Sequence, residues 1–188
     1  MKPFFAVLLA NALTLSFAAA EQNELAISIG QADLGTAAAG GRRFFVSGLD
    51  SPIFVVISNL SDKPQRVWQI WNSWGAPTIV LEVVDQQGNK LGLIRNGQIA
   101  WTMNGPTFDT IAPREHHIIP ISIDHTTQWI LDGDKLKTLK REEWHKVRIR
   151  ATFTSRDGEK KGVWSGTTAS KLYDFEFRIR ERYVPDKP

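Results

Sequence analysis

Histidine, serine and carboxylate positions are where chemistry would begin in this chain. There are four histidines, with His116 and His117 adjacent and His125 and His145 farther along. A metal centre needs several donors at ligand spacing, such as His-Glu-x-x-His or paired cysteines. Neither pattern occurs, and the chain has no cysteine at all. On a strand, neighbouring side chains point to opposite faces, so one ion could not easily hold both His116 and His117. Polar positions on a sheet edge account for them. Nucleophilic hydrolysis needs a Ser or Cys beside a His, with an oxyanion donor. Gly-x-Ser-x-Gly is absent, and Ser165-Gly166 sits in no elbow pattern. Asp and Glu total 20, yet no pair stands out as the acid and base of glycoside hydrolysis. The expectation is a protein that is not an enzyme, with no catalytic residue, metal or cofactor.

Tryptophan is the real excess, seven in 188 residues. Indole rings can stack on sugar faces and are enriched at protein-interface hot spots, and a β core also absorbs them. Trp68, Trp71 and Trp74 recur at intervals of three. On a helix they would form a stripe, but Val67, Ile70 and the closing Asn72-Ser73-Trp74-Gly75 favour a strand running into a turn. Trp68 and Trp74 would then point one way and Trp71 the other. Trp71, Trp74 and Trp101, at or near strand ends, are expected to carry exposed rings. With Trp129 they make up the candidate binding residues.

The elements that position these residues are strands. Val147, Ile149, Ala151 and Phe153 alternate with Arg148, Arg150, Thr152 and Thr154, the period of a half-buried strand. Ser155 to Gly162 holds Asp157-Gly158 and a second glycine, a hairpin connection returning through Val163 to Gly166. Alternation resumes with Tyr173, Phe175, Phe177 and Ile179. Upstream, Leu25, Ile27 and Ile29 give a short first strand, and Gly30 to Gly41 reads as a loop. Arg42 to Leu49 is a weak strand. Ile53 to Asn59 is β-branched and aromatic without a breaker, so it is expected to be central and buried on both faces. Asn59 to Pro64 ends it, with Asn and Asp bonding their own backbone at a turn. Thr78 to Val84 and Lys90 to Ile94 flank Asp85 to Asn89 as a hairpin, and Ile99 to Met103 is a further short strand. Ile118 to Ile123 contains Pro120, which argues for an edge or a bulge. Asp124 to Glu143 breaks the pattern: a long insertion with one short helix over about Gly133 to Trp144. Its Trp129, Ile130, Leu131 and Leu136 should fold back over the strands. About nine strands at 8–12-residue spacing, with no βαβ alternation, indicate an antiparallel sandwich or barrel. Phe54, Val56, Trp68, Leu81, Ile149, Ala151, Phe153 and Phe175 are expected to face inward.

Met1 to Ala20 reads as a secretory signal peptide: Lys2, an apolar Phe4 to Phe17, then Ala18-Ala19-Ala20 before Glu21. Export to the periplasm or medium follows, with one domain over 21–182 and a frayed tail over 183–188. No later stretch approaches the ~18 apolar residues of a membrane span. Without Lys2 the chain carries 22 basic against 20 acidic residues. Such near-neutrality predicts no nucleic-acid partner.

Three segments resemble small exported bacterial domains with an immunoglobulin-like β-sandwich. They are Phe54 to Pro64, Ile111-Ala112-Pro113-Arg114-Glu115 leading into a strand, and Arg148 to Phe153 paired with Val163-Trp164-Ser165-Gly166. The resemblance covers roughly residues 50–180 and carries no catalytic motif. It implies an all-β immunoglobulin-like sandwich of seven to nine strands, acting as a binding or accessory module that holds another exported protein by a sheet face or edge. A sugar-binding module using exposed tryptophans is the alternative. A protease-inhibitor role is a further one, though no inhibitory loop motif supports it.

Overall fold

A computed structural model describes residues 24–31, 42–46, 53–97, 105–123, 129–156 and 158–179. Twelve strands run through these residues: β1 Leu25–Gln31, β2 Arg42–Val46, β3 Ile53–Asn59, β4 Gln65–Trp68, β5 Ile79–Val84, β6 Lys90–Asn96, β7 Phe108–Ile111, β8 His116–Ile121, β9 Trp129–Asp132, β10 Trp144–Ser155, β11 Gly166–Ala169 and β12 Tyr173–Ile179. A four-residue helix, α1 (Asp134–Lys137), and a 3-10 turn at Glu159–Lys161 complete them. The expected leader, the expected tail beyond Tyr183, the Ile99 to Met103 strand and Trp101 lie outside the described residues. No described helix is long and apolar enough to cross a membrane.

The strands form three sheets. One has the order β1-β3-β8, all antiparallel. The second has the order β2-β12-β10-β5-β6-β9, with β11 also on β10. The third is the β4-β7 ribbon. Only the β2–β12 pairing is parallel among the described strands. One continuous core joins Leu25, Ile27 and Ile29 of β1 and Ile53, Val55 and Ile57 of β3 to Leu81, Ile94, Val147, Ile149, Phe153 and Phe177 of the large sheet. The arrangement is all-β and β-sandwich-like, with apolar faces of two largely antiparallel sheets contributing to one core.

The twelve-residue β10 organises the large sheet. Residues 148–153 pair with β5 on one side. On the other side residues 144–149 pair with β12 and residues 152–155 with β11. β11 and β12 therefore behave as one strand interrupted at Ser170. There the Ser170 N–H donates to Ala151 O at 2.8 Å, and the Ala151 N–H donates to Ser170 Oγ at 3.0 Å. The hydroxyl replaces the backbone acceptor that the register shift removes.

Several expectations need correction. Phe54 and Val56 are half-buried and face away from the core, while Ile53, Val55, Ile57 and Asn59 point in. Ile53 to Ile57 is apolar at both parities, so alternation could not choose a face. Asn59 decides it, because its side chain must reach partners inside. The expected strand from Arg66 ends at Trp68. Phe108–Ile111 is a strand, and the return of the last hairpin starts at Gly166 rather than Val163. The insertion holds β9, which pairs with β6, before a helix far shorter than Gly133 to Trp144. Trp129, Leu131 and Leu136 are buried, as the fold-back reading requires. Gly92 permits this docking, since a Cβ there would lie 2.5 Å from Asp132 O and 2.9 Å from Leu136 Cβ. Trp68, Leu81, Ile149, Ala151, Phe153 and Phe175 are inward as expected.

Candidate functional site

The outward side of β1-β3-β8 is a grid of nine positions set by the registers. Ala26, Ser58 and His116 form one row; Ser28, Val56 and Ile118 the next; Gly30, Phe54 and Pro120 the third. None of the nine is Asp, Glu, Lys or Arg. The one titratable side chain, His116, shares a hydrogen bond between its Nδ1 and Ser58 Oγ at 2.9 Å. Ile118 is 59% exposed at the centre of the β8 row.

The outward side of the large sheet is the opposite case. Its registers set Arg150 against Glu82, Arg148 against Asp174 and Lys146 against Glu176. Cross-strand opposite charges of this kind stabilise a solvated face. Arg150 and Arg95 reach Glu82 and Asp132 at 2.5 and 2.6 Å, and Arg178 binds Glu142. Arg95, chiefly through its hydrogen bond to Asp132, holds that carboxyl below the usual carboxylate range. The Asn89 side chain does the same for Asp85 in the β5–β6 turn. One sheet thus turns charge to water and the other turns neutral, largely apolar side chains.

The edge of the neutral sheet is blunted. The Asn59 N–H donates to Glu115 O at 3.0 Å, so by the alternation of an antiparallel ladder residues 116, 118 and 120 direct their backbone groups away from β3. Pro120 has no N–H to offer on that side, where no described strand pairs. Among the described strands β8 lies at a sheet edge, one of the two placements its proline predicts.

Two tryptophans stand exposed elsewhere, on the turn that follows β4. Trp68 ends β4 buried, with Trp74 stacked on it at 6.0 Å between centroids and 30° between planes. Trp71 is 55% and Trp74 39% exposed. Both stand on a turn segment, 69–78, built around Asn72, which is 3% exposed. Its Nδ2 donates to Thr107 O and Oγ1 at 2.9 and 3.0 Å, and its Oδ1 accepts from the Trp74 and Gly75 N–H at 3.0 and 2.8 Å. Gly75 lets the turn close: a Cβ there would lie 2.0 Å from Gln69 O. Alongside, Gln69 Nε2 donates to Asp109 Oδ1 at 2.8 Å and the Arg66 guanidinium covers the Phe108 ring at 3.2 Å. Trp129, only 5% exposed, belongs to the core and presents no ring to a ligand. Deep placement in β9 follows from its alternation with Ile130 and Asp132.

His116 faces out and His117 inward, where its Nε2 lies 3.5 Å from Asp109 Oδ2. No group of three or more metal-ligating side chains occurs among the described residues. A shallow depression of about 570 Å³ lies at the end of the last hairpin, lined by Thr154, Ser155, Arg156, Ser165, Gly166 and Thr167. The chain matches no protein-family model and no curated protein. Sequence reasoning found the exposed Trp71 and Trp74 but missed the neutral face. Its signal was the absence of charge at alternate positions of three segments far apart in the chain.

Proposed function

We propose that the protein is an exported, non-catalytic binding module that holds another exported protein against the outward face of β1-β3-β8. The observation that carries this reading is the nine-position face without a charged residue, set against the ion-paired face of the large sheet. Solvated sheet faces take charge, whereas interface cores are depleted of it. By strand rise and spacing the face measures roughly 14 Å by 15 Å, well under the ~800 Å² per partner of a standard interface. The contact is therefore with a single element of the partner, or a transient one.

The strand order supports an immunoglobulin-like arrangement. β1, β3 and β8 make one layer, β5, β6, β10 and β12 the other, and β2 crosses to the last strand, compatible with a two-layer sandwich of this type. Export rests on the leader-like Met1 to Ala20.

Site-specific photo-crosslinking tests the reading. A photoreactive residue replacing Ile118, in the full chain expressed with its leader, should give one discrete protein adduct in the periplasm. The same residue replacing Glu82, on the charged face, should give none. Ile118→Lys should abolish capture by a crosslinker placed at Val56. Equal adducts from both faces, or none from either, would overturn it.

A further inference from the structure

We infer that Arg66, on the β4–β7 ribbon and apart from the strands of the neutral face, is a receptor for a ligand carboxylate. The register gives the ribbon two sides. Val67 and Ile111 are buried, so Asp109 shares the core side, while Arg66, Phe108 and Thr110 stand on the other. The Arg66 guanidinium lies over the Phe108 ring, 3.2 Å from its centroid, and this contact holds the head group in place. Arg95, Arg114, Arg150 and Arg178 each meet a carboxylate. Arg66 meets none among the described residues. The one acid of the ribbon, Asp109, is on the core side, where Gln69 and His117 approach it. Arg148 and Arg178 each bury an Nε without a partner, whereas no nitrogen of the Arg66 head group is left in that state. Its donors are therefore open to water.

The 158–164 turn stands beside this head group. Arg66 O accepts the Trp164 N–H at 2.8 Å, and a Cβ on Gly162 would lie 3.4 Å from Arg66 Nη1. Lys160 and Lys161 are exposed in the same turn, against a single acid, Glu159. Their charges add a positive potential that draws anions in. The backbone of the turn, by contrast, is committed. The Lys161 and Val163 N–H groups donate to Gly158 O at 2.9 and 3.0 Å, and the Gly162 N–H donates to Glu159 O at 3.0 Å. With Trp164 that makes four successive N–H groups in use, so this run offers no nest for a phosphate. What remains is one planar fork. It matches a planar carboxylate through two parallel N–H···O bonds. That carboxylate can sit on a polypeptide or on a sugar acid, and the recognition chemistry is the same.

The test titrates the full chain with acetate at constant ionic strength, chloride being the reference, and follows arginine Nε–H and amide NMR. Acetate should give a saturable shift at the Arg66 Nε–H and at the amides of 160–164. Arg66→Gln should weaken that binding about tenfold or more, as loss of a charge-assisted pair does. Arg66→Lys keeps the charge without the fork and should recover only part of the affinity. If Arg66→Gln fails to fold, Arg66→Lys carries the test: weaker binding supports the fork, and unchanged binding overturns it. Hexaglutamate and trigalacturonate, titrated in the same way, identify the source as polypeptide or sugar acid by which binds more tightly through Arg66. Ile118→Lys should leave acetate binding unchanged, so failure here is separable from failure of the sheet-face reading. Inorganic phosphate binding in place of acetate, acetate shifts that persist in a folded Arg66→Gln, or no saturable response to any carboxylate would overturn the proposal.

Discussion

Asn59 and Asn72 play matching parts at two turns. Asn59 Nδ2 donates to the carbonyls of Lys63, Ile111 and Ala112 at 2.7, 3.0 and 3.1 Å, while its Oδ1 accepts from the Ser61 N–H and Oγ. Replacing Asn72 by Ala should lower stability by about 2–4 kcal/mol in urea unfolding, because buried backbone groups lose their partners. Trp71→Ala, which removes a half-exposed ring and leaves no buried polar group without its partner, should cost clearly less than Asn72→Ala in the same measurement. The turn at Asn59 was readable because Ser61 is two residues away. The hold of Asn72 on Thr107 was not, because 35 residues separate them. Asp132 carries a pH dependence of defined sign. Its folded pKa is depressed, chiefly by the hydrogen bond from Arg95, so its contribution is present above the unfolded value of about 3.9 and is lost as pH falls through the lower folded value. Thermal melts from pH 6 downward should show a steeper loss below about pH 4 for wild type than for Asp132→Asn, and added salt should shrink the gap.

At the scale of elements, existence was legible and parity was not. The alternations of β1, β10 and β12 carry their own facing, whereas β3 is apolar at every position from Ile53 to Ile57. Pairing with β1 and β8, fixed by buried Asn59, sets which residues point in. β9 hid inside a polar insertion because its four residues are too few to show a period. Its role is to cover the edge of β6, with Trp129, Leu131 and Leu136 buried behind it. Deleting Thr126 to Lys140 across a Gly-Ser link should therefore expose that apolar area, and the protein should melt earlier or aggregate. An unchanged melting temperature and oligomeric state would mean the segment does not protect the edge. Pro120→Val should act in the opposite sense at the edge of β8. It restores an N–H on the side of β8 where no described strand pairs, and sedimentation should then show more self-association than wild type.

For the whole molecule, the difference between its two outward faces matters more than any single residue. Three strands drawn from residues 25–31, 53–59 and 116–121 converge on a surface whose lack of charge has meaning only after they are paired. That is why the candidate surface emerges from the assembled sheet. The tryptophan turn after β4 was half legible, since its two exposed rings stand in one short stretch of sequence.

The parallel pairing of β2 with β12 also decides how the molecule bears tension. The chain enters β2 at Arg42 and leaves β12 at Ile179, with five residue pairs in register between them. A pull applied at Arg42 and Ile179 drags these strands in opposite directions along their common axis. Their hydrogen bonds are then loaded together in shear, whereas pulling apart adjacent ends of an antiparallel hairpin would peel bonds one at a time. A module tethered at one end while gripping a partner would resist stretching until this patch gives way as a unit. Force spectroscopy with the attachment points at Arg42 and Ile179 should record a single high rupture event. Its height should drop when the β2 ladder is interrupted by proline at Phe44, while stability at zero force falls far less.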